Sequence, residues 1–226
     1  MIKVDDIEKF ISKIDSDINL LSRFIHDSIL QDKSSKAFKY YKKIESKINT
    51  AINITTRKID ESRYFEIDLI ERRENLYKKK DTLYKKVIPY YEEPDLTNEE
   101  VTLYKNKKHF LEGVRYFIYN TKTNEFVGDI AFLGKDYPSR HKYGNISYGI
   151  EKEHRGNHYA LKALKLLTDD LYKKGIKKIY IAAFSDNIPS IKTIKSFGGV
   201  EFPSTDEKIS VFKCDLNLIK NNKSKR

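Results

Sequence analysis

The sequence predicts an α+β fold, a mixed sheet covered by helices and preceded by an all-helical extension. Three observations carry this. All nine glycines fall at or after Gly113 and all five prolines at or after Pro89, so residues 1–88 lack the two residues that most strongly punctuate a chain. Before Pro89 the apolar residues recur at steps of three and four; after it they alternate in short runs. The later runs follow the order strands, helix, strand, helix and two strands, which gives a sheet with helices packed on it.

In the N-terminal segment Ile7, Ile11, Ile14, Ile18, Leu21 and Ile25 form a single apolar seam. Gln31-Asp32-Lys33-Ser34 is a turn with a serine available as N-cap. A second helix then places Phe38, Tyr41, Ile44, Ile48, Ala51, Ile52, Thr55 and Ile59 on its inner side. Tyr64 to Leu69 alternates like a strand, but Leu69, Leu76, Leu83 and Val87 favour a helix there. Helices with single seams must pair with each other, with the following domain or with a second copy, so both an intrachain hairpin and a homodimer through these helices are open. Pro89-Tyr90-Tyr91-Glu92-Glu93-Pro94 is expected to end the helices, because proline lacks the amide a helix interior needs. The domains expected are a helical extension over 1–92, a sheet domain over 93–216 and a basic disordered tail over 217–226. Strands are expected at Val101–Leu103, Val114–Tyr119, Phe126–Leu133, Asn145–Ile150 and Lys177–Phe184, with two more around Ser204-Thr205-Asp206-Glu207. Helices are expected at Tyr159–Lys174, stopped by Gly175, and at Asn187–Phe197, closed by Gly198-Gly199.

An apolar fraction of 39% and a charged fraction of 34% over 226 residues describe a highly charged globular chain. No apolar run approaches the roughly 18 residues of a spanning helix, and the N-terminus lacks a signal-peptide pattern, so neither membrane insertion nor export is expected. The single cysteine, Cys214, lies in an alternating run and reads as a small buried strand residue. No Cys/His cluster has metal spacing, so no metal is expected, and a reducing cytoplasmic setting fits. The net charge of +11 admits a nucleic-acid partner, an anionic ligand or a solvated surface. Part of the excess lies in Lys220, Lys223, Lys225 and Arg226 and the rest is scattered, so nucleic acid is not the expected partner.

The stretch Glu153-His154-Arg155-Gly156-Asn157-His158-Tyr159-Ala160 falls between the alternating Ile146, Tyr148, Ile150 and the helical Leu161, Leu164, Leu167, Leu171. A strand that breaks into a short polar turn and then a helix aims several unpaired amides, and the positive end of the helix dipole, at one point. Such a point suits a pyrophosphate.

Gly128-Asp129-Ile130-Ala131, then Gly149 to Ala160, then Asp186-Asn187-Ile188-Pro189-Ser190 with Gly198 stand in an order and at separations that resemble the GCN5-related N-acetyltransferases (GNAT), and within them the branch similar to the ribosomal-protein N-terminal acetyltransferases. The likeness covers roughly residues 98–216. The family's cofactor turn runs Arg/Gln-x-x-Gly-x-Gly/Ala, and Arg155, Tyr159 and Ala160 fit it, while His158 stands where glycine is usual. Glycine there lets the backbone approach a pyrophosphate closely. Histidine is expected to hold a helical backbone and offer the same amide, or else to point to solvent. The alternative for Arg155 is a surface ion pair with Glu151 or Glu153.

The resemblance implies a GNAT-type twisted, mostly antiparallel sheet and transfer of an acetyl group from acetyl-coenzyme A to an amine, which is a protein N-terminus, an amino-group metabolite or a polyamine. It implies a cofactor site at Ile150, Arg155, Gly156, Asn157, His158, Tyr159, Ala160, Asn187 and Ser190, with the pantetheine arm bonded to main chain around Ile150 and Glu151 like an added strand. Many relatives carry a tyrosine on the last of these helices to protonate the leaving thiolate; the matching position is Ile194, which leaves Ser190 as the candidate acid. Asp129, Tyr148 and Glu151 are the candidates for a general base. Acceptor choice would come from loops such as Lys135–Tyr143. His158 and the missing tyrosine also admit a second reading, a catalytically weak GNAT-shaped binding module, ribosome- or RNA-associated.

Overall fold

The computed structural model describes residues 4–25, 36–61, 67–106, 113–134 and 144–223. The expected turn at Gln31–Ser34, the residues Tyr64–Glu66 and the loop Lys135–Tyr143 lie outside the described residues. The chain divides into two compact units, Met1–Glu93 and Pro94–Arg226.

The first unit holds α1 (Val4–Ile25), α2 (Lys36–Glu61) and α3 (Ile67–Tyr91). Each helix packs against the other two, and the seams meet in one cluster: Ile14, Ile18 and Leu21 from α1, Tyr41, Ile44, Ile48 and Ile52 from α2, Leu76, Leu83 and Val87 from α3. Every fully buried side chain of this size stabilises by about 1.5–3 kcal/mol. Polar links fix the pairing at the rim, where Asp17 accepts from Tyr40 Oη at 2.8 Å and from Lys47 Nζ at 2.9 Å. Residues 67–69 are helix, as the longer periodicity indicates. Pro89, however, sits inside α3 rather than ending it. It occupies the final turn, where its missing amide removes one bond to the residue-85 carbonyl and the helix still closes through Glu92 N–H to the Ile88 carbonyl at 3.1 Å.

In the second unit the described strands are β1 (Leu96–Thr97), β2 (Val101–Lys105), β3 (Val114–Asn120), β4 (Phe126–Phe132), β5 (Ile146–Ile150), β6 (Lys178–Phe184), β7 (Val200–Phe202) and β8 (Ile209–Asp215). They form one sheet in the order β1-β2-β3-β4-β5-β6-β8-β7, antiparallel throughout except between β5 and β6. α4 (Tyr159–Lys173) and α5 (Ile188–Phe197) bury Leu164, Leu167, Leu171, Ile194 and Phe197 in one cluster with Ile118, Ile130, Ile146, Ile181 and Phe212 of the sheet. Leu216–Lys223 is a sixth helix, α6, and not the disordered tail expected. Leu216 is buried in the same cluster, and Asp215 Oδ1 accepts from the amides of Asn217 and Leu218, capping the helix at its start.

The sheet has one weak seam. β5 and β6 share a single register pair, Ile146 opposite Ile181, whereas β4–β5 and β6–β8 are paired along their whole lengths. Asn145, 2% exposed, makes this joint: its amide donates to the Tyr180 carbonyl at 2.8 Å, and its side-chain Oδ1 accepts from the Tyr180 amide at 2.8 Å. Gly144 lets the chain come this close, since a β-carbon there would lie 2.7 Å from the Tyr180 carbonyl oxygen. Beyond Ile146 and Ile181 the strands part. Asn145→Ala strands the Tyr180 amide in a partly buried place, and denaturant unfolding is expected to show a loss of about 1–3 kcal/mol; an unchanged midpoint would contradict the role given to this joint.

Candidate active site

The divergence of β5 from β6 decides which main-chain groups face the gap. Antiparallel ladders bond alternate residues. On β5 the bonds run through Asn145, whose carbonyl accepts from the Leu133 amide, and Glu151, whose amide donates to the Val127 carbonyl, so the odd-numbered residues face β4. Tyr148 and Ile150 therefore turn their amides and carbonyls toward β6. On β6 the bonds from Leu216 N–H to Lys177 and from Ser185 N–H to Lys208 face β8, which turns Ala182 and Phe184 back toward β5. An open cleft edged with polar main chain results. Glu151, expected to offer its own main chain here, does not: its amide is taken by Val127 and its carbonyl accepts from His154 N–H at 3.0 Å.

At the mouth of the cleft the chain makes a short 3-10 turn, Lys152–His154, and then enters α4. Gly156 has φ +87° and His158 has φ +58°, both left-handed. Histidine thus does not hold the helical backbone expected of it; it adopts the conformation that explains why glycine is usual at this position, at a cost of about 1–2 kcal/mol. No side chain caps α4, and among the described residues the amides from Gly156 to Leu161 have no hydrogen-bond partner. These six amides and the positive end of the helix dipole gather at one turn, exposed at 156–158 and partly buried at 159–161. Arg155 is exposed beside them. Its Nε donates to the Ile150 carbonyl at 3.1 Å, rather than pairing with Glu151 or Glu153, which draws the guanidinium across the end of β5. Asn157 Nδ2 donates to the His154 carbonyl and Tyr159 Oη accepts from Asn120 Nδ2 at 2.7 Å, so both side chains hold the turn in place.

The far wall of the cleft is the start of α5. Asn187 is its N-cap, with Oδ1 accepting from the Ser190 amide at 3.2 Å, so its carbonyl end serves the helix. Ser190 Oγ meets Tyr148 Oη at 2.9 Å, a link from β5 across to α5. Burial pushes the Tyr148 phenol above its ordinary pKa; the Ser190 hydrogen bond pulls the other way and nearby Cys214 adds to the rise. Ile194, where many relatives have tyrosine, is fully buried in the core. The four catalytic candidates therefore separate. Tyr148 and Ser190 are brought together on the face under α4 and α5. Asp129 stands on the other face, opposite Gly149 and bonded to Arg115 Nη1 at 3.2 Å, because strand alternation sends its neighbour Ile130 into the core. Glu151 is exposed at the turn.

Two residues that the sequence reading passed over belong to this site. Asn145 fixes the point where the cleft begins, and Arg115 holds Asp129. An asparagine between a glycine and an alternating run was the available signal for the first; nothing local in the sequence marks the second. Among the described residues no cluster of His, Cys, Asp or Glu has the arrangement to hold a metal ion, and no helix is long and apolar enough to cross a membrane.

The family model for the acetyltransferase (GNAT) domain matches residues 65–200. The match starts further back than the 98–216 read from the motifs, and takes in α3. Solved structures with a similar fold include an acetyltransferase from Agrobacterium tumefaciens str. C58, 17% identical, covering 55% of this chain and 96% of that one with a TM-score of 0.45. Mycobacterium smegmatis RimJ in complex with CoA-disulfide is 16% identical over 47% of this chain and 55% of its own, TM-score 0.39. The spermidine/spermine N-acetyltransferase SpeG from Vibrio cholerae is 14% identical over 79% and 94%, TM-score 0.41. No curated protein sequence matches the chain.

The left-handed backbone at 158 gives a direct test. His158→Gly is expected to hold or raise stability, by up to about 1 kcal/mol after the added chain entropy of glycine, while His158→Val should lower it by more than about 1 kcal/mol. Urea midpoints compare the two; equal losses for both would place residue 158 in another conformation.

Proposed function

The chain belongs to the GNAT acetyltransferase domain family and is an acetyltransferase, and from that premise we propose that it moves the acetyl group of acetyl-coenzyme A onto a primary amine in the cleft between β5 and β6. One observation carries the reading: the two strands meet at a single residue pair and then part beside an uncapped helix start. The thioester donor supplies an activated acetyl group and a thiolate leaving group; everything else is done by the chain.

The residues fit such a donor. The amides of Gly156 to Leu161, with Arg155, suit a diphosphate. The gap-facing amides of Tyr148 and Ile150 suit the amide groups of an extended arm laid in as a strand, and either is placed to hold a thioester oxygen as it gains charge. Ser190 is the proposed acid. Asp129 and Glu151 remain the proposed bases. In this reading Asp129, on the face of the sheet opposite Ser190, takes the proton of the amine from the other side of the cleft. We assign the transfer to the unit that begins at Pro94, with the three-helix unit as its extension. A homodimer through those helices has less support, because their seams close on each other within the chain.

The acceptor classes that fit are protein N-termini, amino-group metabolites and polyamines, and coenzyme A release over a panel of them distinguishes these. The assay is clean in this protein. Its one cysteine, Cys214, is fully buried and its thiol is pushed up to about 12, so a thiol reagent reads coenzyme A alone. Calorimetry should detect acetyl-coenzyme A binding in the micromolar range; none at high micromolar concentration would overturn the proposal. Arg155→Glu replaces an attraction with a repulsion and also gives up the exposed bond to the Ile150 carbonyl, and is expected to weaken that binding about ten- to a hundredfold with only a small loss of melting temperature.

A further inference from the structure

Tyr148 entered the sequence reading as a candidate base, and its place in the structure fits that role poorly. A base must release its proton near neutral pH. Burial instead favours the neutral phenol, so the hydroxyl stays protonated through the physiological range. Its oxygen lies 2.9 Å from Ser190 Oγ, and 3.3 Å from the Ser190 carbonyl, so both of its short contacts are to a single residue of α5. Cys214 is the other titratable group felt at this hydroxyl, and it too stays neutral.

Resting on the acetyl-transfer reading, we propose that Tyr148 and Ser190 act as one proton-donating pair toward the departing thiolate, with Ser190 Oγ the direct donor and Tyr148 the positioning residue that supplies it. The amine lone pair forms the C–N bond as the C–S pair withdraws onto sulfur. Sulfur takes the proton of Ser190 Oγ, Oγ takes that of Tyr148, and the proton that the base removes from the amine nitrogen returns through water to Tyr148. Atoms and charge balance to an amide and a thiol. The arrangement also accounts for Ile194: a tyrosine hydroxyl reaches this end of α5 from β5, so none is needed from α5 itself.

A serine alone is a weak donor, with a hydroxyl free to rotate. In the proposed pair Tyr148 is the donor across the 2.9 Å contact, which occupies one Oγ lone pair and leaves the Ser190 hydrogen for the sulfur. Such a donor favours the thiolate of bound coenzyme A even when no acceptor is present.

The test is an ultraviolet titration of the coenzyme A thiol bound to the full chain, beside calorimetry of coenzyme A itself. In the wild type the bound thiol should titrate about one pH unit below the free one. Ser190→Ala should return it to the free value, Tyr148→Phe should bring it part of the way, and Ser190→Thr, which keeps a hydroxyl, should restore most of the shift. Calorimetry sets the coenzyme A concentration that saturates each variant, so that every titration reads the bound thiol. Should Tyr148→Phe not fold, 3-fluorotyrosine placed at 148 serves instead, and its more acidic hydroxyl should lower the bound thiol further. A bound thiol indifferent to both changes at 148 overturns the inference while leaving acetyl transfer standing. Absence of coenzyme A binding to the wild type overturns both.

Discussion

The site depends on one joint. Asn145 and the Ile146–Ile181 pair hold β5 to β6 at a single point, and everything that distinguishes this sheet from a continuous one starts there. Each half is complete on its own side, β5 along β4 and β6 along β8, so neither strand needs the other for order. The hydrophobic cluster under α4 and α5 spans both halves and keeps them in one body. Opening the sheet therefore costs few hydrogen bonds, and those few main-chain groups are the ones a ligand would use.

The same economy governs the helix start. Six consecutive amides without a partner in the chain would be costly in a dry interior, but here residues 156–158 are exposed and 159–161 only partly buried, which leaves the turn open to solvent. The left-handed backbone at Gly156 and His158 bends the chain so that these amides converge. Strain at a non-glycine residue is found where the surrounding structure imposes it. Here the surroundings are specific: Arg155 tied to the end of β5, Asn157 tied to the His154 carbonyl and Tyr159 tied to Asn120 hold the turn from three directions.

Most of the fold was legible because the chain changes grammar sharply. The seam of α2, the alternation of β3, β4 and β5 and the glycine stops after α4 and α5 are local patterns, and local patterns survive in sequence. β1 was too short to show a period. α6 was hidden by its lysines, since what orders it is buried Leu216, Ile219 against the core, an aspartate cap and the links of Asn217 to Tyr172 and of Lys220 to Asp169. Pro89 misled because a proline in a final turn costs little, and sequence alone does not say which turn is final. At the site, the polar turn was visible as a motif, whereas the engagement of Glu151 with Val127 and the meeting of Tyr148 with Ser190 join residues 24 and 42 positions apart. Which face Asp129 takes follows from register, and register is set by the whole ladder.

The account holds that main-chain amides of the parted strand and of the α4 start are the donors that hold the nucleotide end and arm of coenzyme A. Residue-resolved hydrogen exchange of the full chain, with and without saturating coenzyme A, measures those amides directly. The amides of Tyr148, Ile150 and Gly156 to Leu161 should slow by at least about tenfold, while those already inside the β3–β4 ladder change far less. Binding that leaves the rates of these eight amides where they were would contradict it.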